Sequence, residues 1–229
     1  MNSYRKTARI VGLLFIIATG APLLSFLFTG SLNAPDYLIK VSENETQVIV
    51  GALLELVFSV ACASIAIGMY PVLKKHNVGL ALGAVGLRLI EGILYIISVI
   101  GLLSLLTLSQ EFIKAGVPDA SYFQSLGTLL LAVRDWAGLL GSITFILGAL
   151  MYYYVFYKSK LIPRWLSTWG LIGVPFWIVA ALLQMFGLVD PFSTTLILLD
   201  LPIAINEMVL AVWLIVKGVN PSAIASPSA

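Results

Sequence analysis

Seven ionisable side chains stand inside apolar runs of this sequence: Glu55, Arg88, Glu91, Arg134, Asp135, Asp200 and Glu207. A charge at the centre of a membrane-spanning helix costs about 2.5–3.5 kcal/mol on insertion scales, so groups kept at that depth need partners or a water-filled cavity. Arg88 and Glu91 are three residues apart, share one helix face and can pair. Asp200 and Glu207 are seven apart, two turns along one face, with Asn206 beside Glu207 and Pro202 interrupting the backbone bonding between them. Five acids against two arginines leave carboxylate in excess. Either some of the acids hold protons, or the cluster is built to receive a cation or a small cationic ligand. The plainer alternative is structural: Arg88 with Glu91, and Arg134 with Glu55 or Asp135, are buried ion pairs that fix which helices are neighbours, with Asp200 and Glu207 protonated or hydrogen-bonded.

Other chemistries are poorly provided for. The single histidine, His76, sits beside Lys74 and Lys75 in a short hydrophilic stretch, so a bis-histidine haem site or a histidine-rich intramembrane zinc site cannot be assembled. The single cysteine, Cys62, is expected to pack as a small apolar residue, and one cysteine allows no intrachain disulfide. No lysine lies deep in an apolar run, and neither phosphate-binding glycine fingerprint occurs. Ser142 and Thr144 lack a histidine base and read as hydrogen bonds along or between helices. No cofactor is implied, and a net charge of +2 gives no reason to expect nucleic acid as a partner.

The elements that must hold these residues follow from composition. With 229 residues, 60% hydrophobic and 10% charged, and a mean hydropathy of +1.02, the chain falls outside the soluble globular range. Its apolar runs are long enough to cross a bilayer. They predict an all-α integral membrane protein, a bundle of six transmembrane helices over about 10–28, 47–73, 79–108, 122–157, 166–188 and 195–216, followed by a disordered tail over 220–229. The first run is long for a secretory signal and no clean cleavage site follows it, so the helix is expected to be retained. Lysine and arginine in the loops resist translocation and set orientation. One side holds nine of them (Arg5, Lys6, Arg9, Lys74, Lys75, Lys158, Lys160, Arg164, Lys217) and the other only Lys40 and Lys114. Both termini are therefore predicted on the cytoplasmic side, with Asp36, Glu43, Glu45, Glu111, Asp119 and Asp190 outside. At about 1.5 Å per residue, Glu91 and Glu207 fall near mid-membrane, Glu55 in the outer half and Arg88 towards the inner side.

Tyr152, Tyr153, Tyr154, Tyr157 and Trp165 bracket the basic loop between the fourth and fifth helices and read as an aromatic belt at headgroup level. Gly79, Gly83 and Gly86 on the third helix, and Gly138, Gly141 and Gly148 on the fourth, are spaced for close packing. Asn44-Glu45-Thr46 fits the glycosylation acceptor pattern, which is irrelevant in a bacterium. An arginine followed by Gly-Leu-Leu recurs at Arg9 and Arg134, and Glu91 and Glu207 occupy comparable positions on helices three and six. Two inverted halves of three helices would be the arrangement of many secondary transporters, although Gly-Leu-Leu is common in so apolar a chain.

The basic start from Arg5 to Leu14, Leu87-Arg88-Leu89-Ile90-Glu91, Ile162-Pro163-Arg164-Trp165-Leu166 and the run from Glu207 to Gly218 resemble a bacterial membrane-protein family catalogued as a domain of unknown function, number 4386. The resemblance covers nearly the whole chain. It implies a bacterial cytoplasmic (inner) membrane location and importance for Arg88, Glu91 and Glu207, and brings no activity with it. Three function classes follow: a small transporter or permease coupled to protons or cations; a non-catalytic bundle that binds a lipid or a partner protein; and an enzyme using paired carboxylates on a lipid-like substrate. The missing histidines and nucleophile motifs weigh against the enzyme.

Overall fold

The computed structural model describes residues 2–115, 120–191 and 193–225. Among the described residues eight α-helices follow one another: α1 (Asn2–Phe28), α2 (Tyr37–Glu43), α3 (Glu45–Leu73), α4 (Val78–Ala115), α5 (Ala120–Ser159), α6 (Arg164–Met185), α7 (Thr194–Val216) and α8 (Pro221–Ala225), with a 3-10 turn at Gly30–Asn33 before α2. No strand occurs among the described residues. Six of the helices are long and apolar enough to cross a membrane. A helix satisfies its own backbone, which is why it is the form that such runs adopt in lipid.

The six long helices close into a ring in chain order. α1 packs on α3, α3 on α4, α4 on α5, α5 on α6, α6 on α7, and α7 returns to α1. The basic segments gather at one end: the Lys75 ammonium lies 4.7 Å from the centre of the Tyr4 ring, and the Asn220 amide donates to the Leu161 carbonyl at 2.8 Å. At the opposite, acidic end, α2 buries Leu38 and Val41 and packs on α4, and the Tyr37 hydroxyl donates to the Gln124 carbonyl of α5 at 3.3 Å. Here a small apolar core joins Val41, Val48, Ala52, Val99, Leu102 and Leu106. The main core, built from Phe15, Ile65, Ile146, Leu166, Ile203 and Leu214 among others, fills the basic half of the ring.

The helix ends differ from the predicted ones for local reasons. α1 starts at Asn2 rather than near residue 10, because a polar first turn outside the hydrocarbon continues the helix at no cost. α6 stops at Met185, short of 188, where Gly187 takes a φ of +63° and its amide and that of Leu188 turn back to Gln184 and Leu183. This left-handed residue is the usual glycine exit from a helix. α7 begins after Ser193, whose hydroxyl accepts from the Leu196 amide. α2 and α8 are too short to register as apolar runs. Of the tail expected to be disordered, Pro221–Ala225 forms α8, anchored through Asn220, while residues 226–229 lie outside the described residues, as does Asp119.

The aromatic belt is a correction in part. Tyr154, Tyr157 and Trp165 are exposed on the outer surface as expected, but Tyr152 (4% exposed) and Tyr153 (0%) point into the ring. Successive helical residues are about 100° apart, so 152, 153 and 156 form one face and 154 and 157 another. A run of tyrosines cannot all reach the headgroups.

Of the glycines spaced for packing, Gly83, Gly141 and Gly148 do sit in the α4–α5 seam, with Met151, Tyr95 and Arg88 where a Cβ would stand. Gly86 and Gly138 face open space.

Candidate functional site

The polar residues form two groups stacked inside the ring. The first is closed. Arg88 and Glu91 on α4 form an ion pair at 3.1 Å with both side chains 2% exposed. Arg88 also donates through Nε to the Cys62 carbonyl of α3 at 3.3 Å and lies over the Phe145 ring of α5, 4.9 Å from its centre. The arginine stem passes close to Gly148 of α5, where an added Cβ would come within 3.3 Å of Arg88 Cγ. From α7, Glu207 accepts from the Tyr152 hydroxyl at 2.9 Å and lies within electrostatic range of Arg88 and Glu91. One arginine thus faces two carboxyls, and helices α3, α4, α5 and α7 all contribute.

The second group is open. Arg134 of α5 reaches across to Glu55 of α3, two helices that barely touch, and binds it through both terminal nitrogens, Nη1 to Oε2 at 2.8 Å and Nη2 to Oε1 at 2.5 Å. Such a fork is the strongest and most directional ion pair available to a carboxylate. The Ser25 hydroxyl of α1 lies 3.0 Å from both Glu55 Oε1 and the Gly51 carbonyl, and Arg134 Nη1 also donates to the Ser98 carbonyl of α4 at 3.3 Å. One ion pair therefore ties together α1, α3, α4 and α5.

Beside it opens a cavity of about 430 Å³ towards the acidic end, lined among others by Arg134, Asp135, Ser142, Gln184 and Asp200. Arg134, already paired with Glu55, is the only Lys or Arg in that lining. Asp200 has its Oδ1 shielded from solvent and without a hydrogen-bond partner. Neither Asp135 nor Asp200 forms an ion pair among the described residues. Within this lining, then, two carboxyls form no ion pair, the half-buried Asp200 and the exposed Asp135, which is the chain neighbour of Arg134.

Each residue singled out from the sequence can now be placed. Arg88, Glu91 and Glu207 converge in the closed group. Glu55, Arg134, Asp135 and Asp200 belong to the open one, so the single cluster that the charge pattern allowed is two. Asp200 and Glu207 do share a face of α7, roughly 10 Å apart at about 1.5 Å per residue, one in each group. Asn206 belongs to neither: it is fully buried and donates to the Leu166 carbonyl of α6 at 3.0 Å, binding α7 to the start of α6. Arg134 takes Glu55 and not its neighbour Asp135. Ser142 accepts from the Trp177 indole at 2.7 Å, and Thr144 turns back to the Leu140 and Gly141 carbonyls, so both serve helix packing.

Sequence reasoning missed Ser25, Cys62 and Tyr152. Cys62 carried no readable signal, since a lone cysteine within a helix is ordinary in lipid. Ser25 carried none, being one hydroxyl in an apolar run.

Over residues 10–218 the chain matches the family described as Domain of unknown function (DUF4386), and it belongs to that family. No curated protein and no solved structure matches it.

Proposed function

We propose that this chain is a small permease of the bacterial inner membrane that takes a small cation, inorganic or an organic amine, into the cavity at its acidic end. The observation that carries the reading is the pair Asp135 and Asp200, lining a cavity whose one cation is held by Glu55. An uncompensated carboxylate below the membrane surface is costly, and a cationic ligand is the partner that removes the cost. In this reading both termini are cytoplasmic, by the nine-to-two bias of loop cations, and the cavity faces outside. The closed group lies deeper on the path, and Glu207, on the same face of α7 as Asp200, is the next carboxyl an incoming cation would meet. In this reading Arg88 exchanges Glu91 for Glu207 as the cation passes, and these are the two discrete arrangements that alternating access needs.

The test is binding and flux on the intact chain. In nanodiscs, ethylammonium or Na⁺ is expected to raise the melting temperature, and Asp200→Asn with Asp135→Asn to weaken the affinity read from its concentration dependence by about tenfold or more. In proteoliposomes, Glu207→Gln is expected to abolish uptake and leave surface binding intact. Binding unaffected by the two aspartate changes would contradict the site; uptake at the original rate in Glu207→Gln would contradict the pathway. A second reading, a bundle that binds without transporting, is favoured by the tight closure of Arg88 on Glu91, and it predicts binding with no flux.

A further inference from the structure

The outer surface between α1 and α7 carries an apolar groove of about 610 Å³, running from Thr19 and Ala204 to Val216 and Lys217. From Ala204 to Val216 is about 18 Å at 1.5 Å per residue. Half of a hydrocarbon core of about 30 Å is close to that, so the groove is one leaflet deep.

At its basic end the groove shares Trp213 and Lys217 with a second recess of about 590 Å³, formed by the turn after α5 and the turn after α7. Lys160, Arg164 and Lys217 line this recess, and no carboxylate does. The recess is rigidly built. Lys160 and Gly218 take φ values of +56° and +74°, and Asn220 ties the two turns together, its amide donating to the Leu161 carbonyl at 2.8 Å and its side chain to the Lys160 carbonyl at 3.4 Å. None of the three cations forms an ion pair among the described residues.

An apolar trough one leaflet deep that ends at three cations without a carboxylate partner, Arg164 lying over the Tyr157 ring at 5.5 Å, has the shape and charge of an amphiphile's complement. We propose that it is a binding site for an anionic phospholipid, with one acyl chain along the α1–α7 groove and the headgroup phosphate among Lys160, Arg164 and Lys217. Trp213, shared by both parts, lies at the junction where indoles prefer the headgroup level. Basic pockets at helix ends hold lipid headgroups in this way. Lys74 and Lys75 lie at the same end, over the Tyr70 and Tyr4 rings, and line neither the recess nor the groove. They provide a control for attraction by surface charge alone.

The experiment is native mass spectrometry of the full chain released from nanodiscs of equal phosphatidylcholine and phosphatidylglycerol. The proposal expects one phosphatidylglycerol retained per chain. Retention should fall by about tenfold or more in Lys160→Gln/Arg164→Gln/Lys217→Gln, since each basic residue near an anionic headgroup adds to the attraction. It should be unchanged in Lys74→Gln/Lys75→Gln. Val212→Trp, at a lipid-facing position of the groove, should lower retention with every charge in place, which keeps the proposal testable if the triple variant misfolds. Equal retention in the recess variants, equal loss in the control, or a lipid-free dimer with the groove covered by a second copy would each overturn it. So would stabilisation by inorganic phosphate that survives Val212→Trp, since that would mark a soluble phosphate ligand instead.

Discussion

The closed group rests on one arginine. Arg88 sits between Glu91, the Cys62 carbonyl and the Phe145 ring, and its removal leaves a buried carboxylate without its cation. Breaking such a pair on one side costs roughly 3–5 kcal/mol, whereas replacing both partners by apolar residues is close to neutral. Arg88→Met is therefore expected to lower thermal stability sharply in nanodiscs, and Arg88→Met/Glu91→Leu to recover most of the loss. A double variant as unstable as the single one would mean that the arginine is held by the carbonyl and the ring, with the carboxylate incidental. The sequence marked this pair through its i, i+3 spacing, because the energetic penalty of a buried charge makes it conspicuous wherever it stands. Tyr152 and Cys62 were not conspicuous, since a tyrosine near a helix end and a cysteine within one are both ordinary in lipid. Their inward aim depends on helix rotation, which spacing does not give.

Helix rotation is the part of the structure least legible in a chain of this kind. In a soluble helix the polar face marks the outside. Here lipid and core are equally apolar, so Leu23 and Val57 face outward and Val11 and Ile65 inward with nothing in their chemistry to tell them apart. The number of membrane-spanning elements was readable, because a bilayer sets their minimum length; their full lengths, such as the extension of α4 to Ala115, and their neighbours were not. Small residues show the difficulty. The Gly79, Gly83, Gly86 spacing looked like a packing face, yet only Gly83 has a side chain from another helix pressed against it, whereas Gly12, in no such pattern, lies where α1 crosses α7. A Cβ there would stand 2.7 Å from the Ala211 carbonyl oxygen, which the helix holds in place. Gly12→Ala is expected to destabilise the protein by about 1–3 kcal/mol, as overpacking does. Gly86→Ala, in open space, should be neutral or slightly stabilising through helix propensity. Equal melting temperatures for the two would show that the α1–α7 seam does not close the ring.

At the scale of the whole molecule, a ring of six helices places the two charged groups at different depths of one interior, with the cavity at the acidic end and the closed group beyond it. The sequence offered Arg134 either Glu55 or Asp135 and could not choose between them, because Glu55 and Arg134 stand on helices that are not ring neighbours, and ring order is a property of the assembled bundle. The charge bias of the loops predicts which way the ring stands. A membrane-impermeant thiol reagent added to spheroplasts is expected to label Glu111→Cys and not Lys75→Cys, and the reverse pattern would invert the topology. The central claim, that an acid-lined cavity accepts cations from the acidic end, is tested most directly by Gly138→Cys. This position lines the cavity with open space for a side chain, and the natural Cys62 is buried. The rates of modification by cationic and anionic thiosulfonate reagents applied from outside should differ by about tenfold or more in favour of the cation, as two unpaired carboxylates in a recess of low dielectric would impose. That preference should vanish in Asp135→Asn/Asp200→Asn; equal rates for the two reagents in the otherwise natural chain would contradict the account.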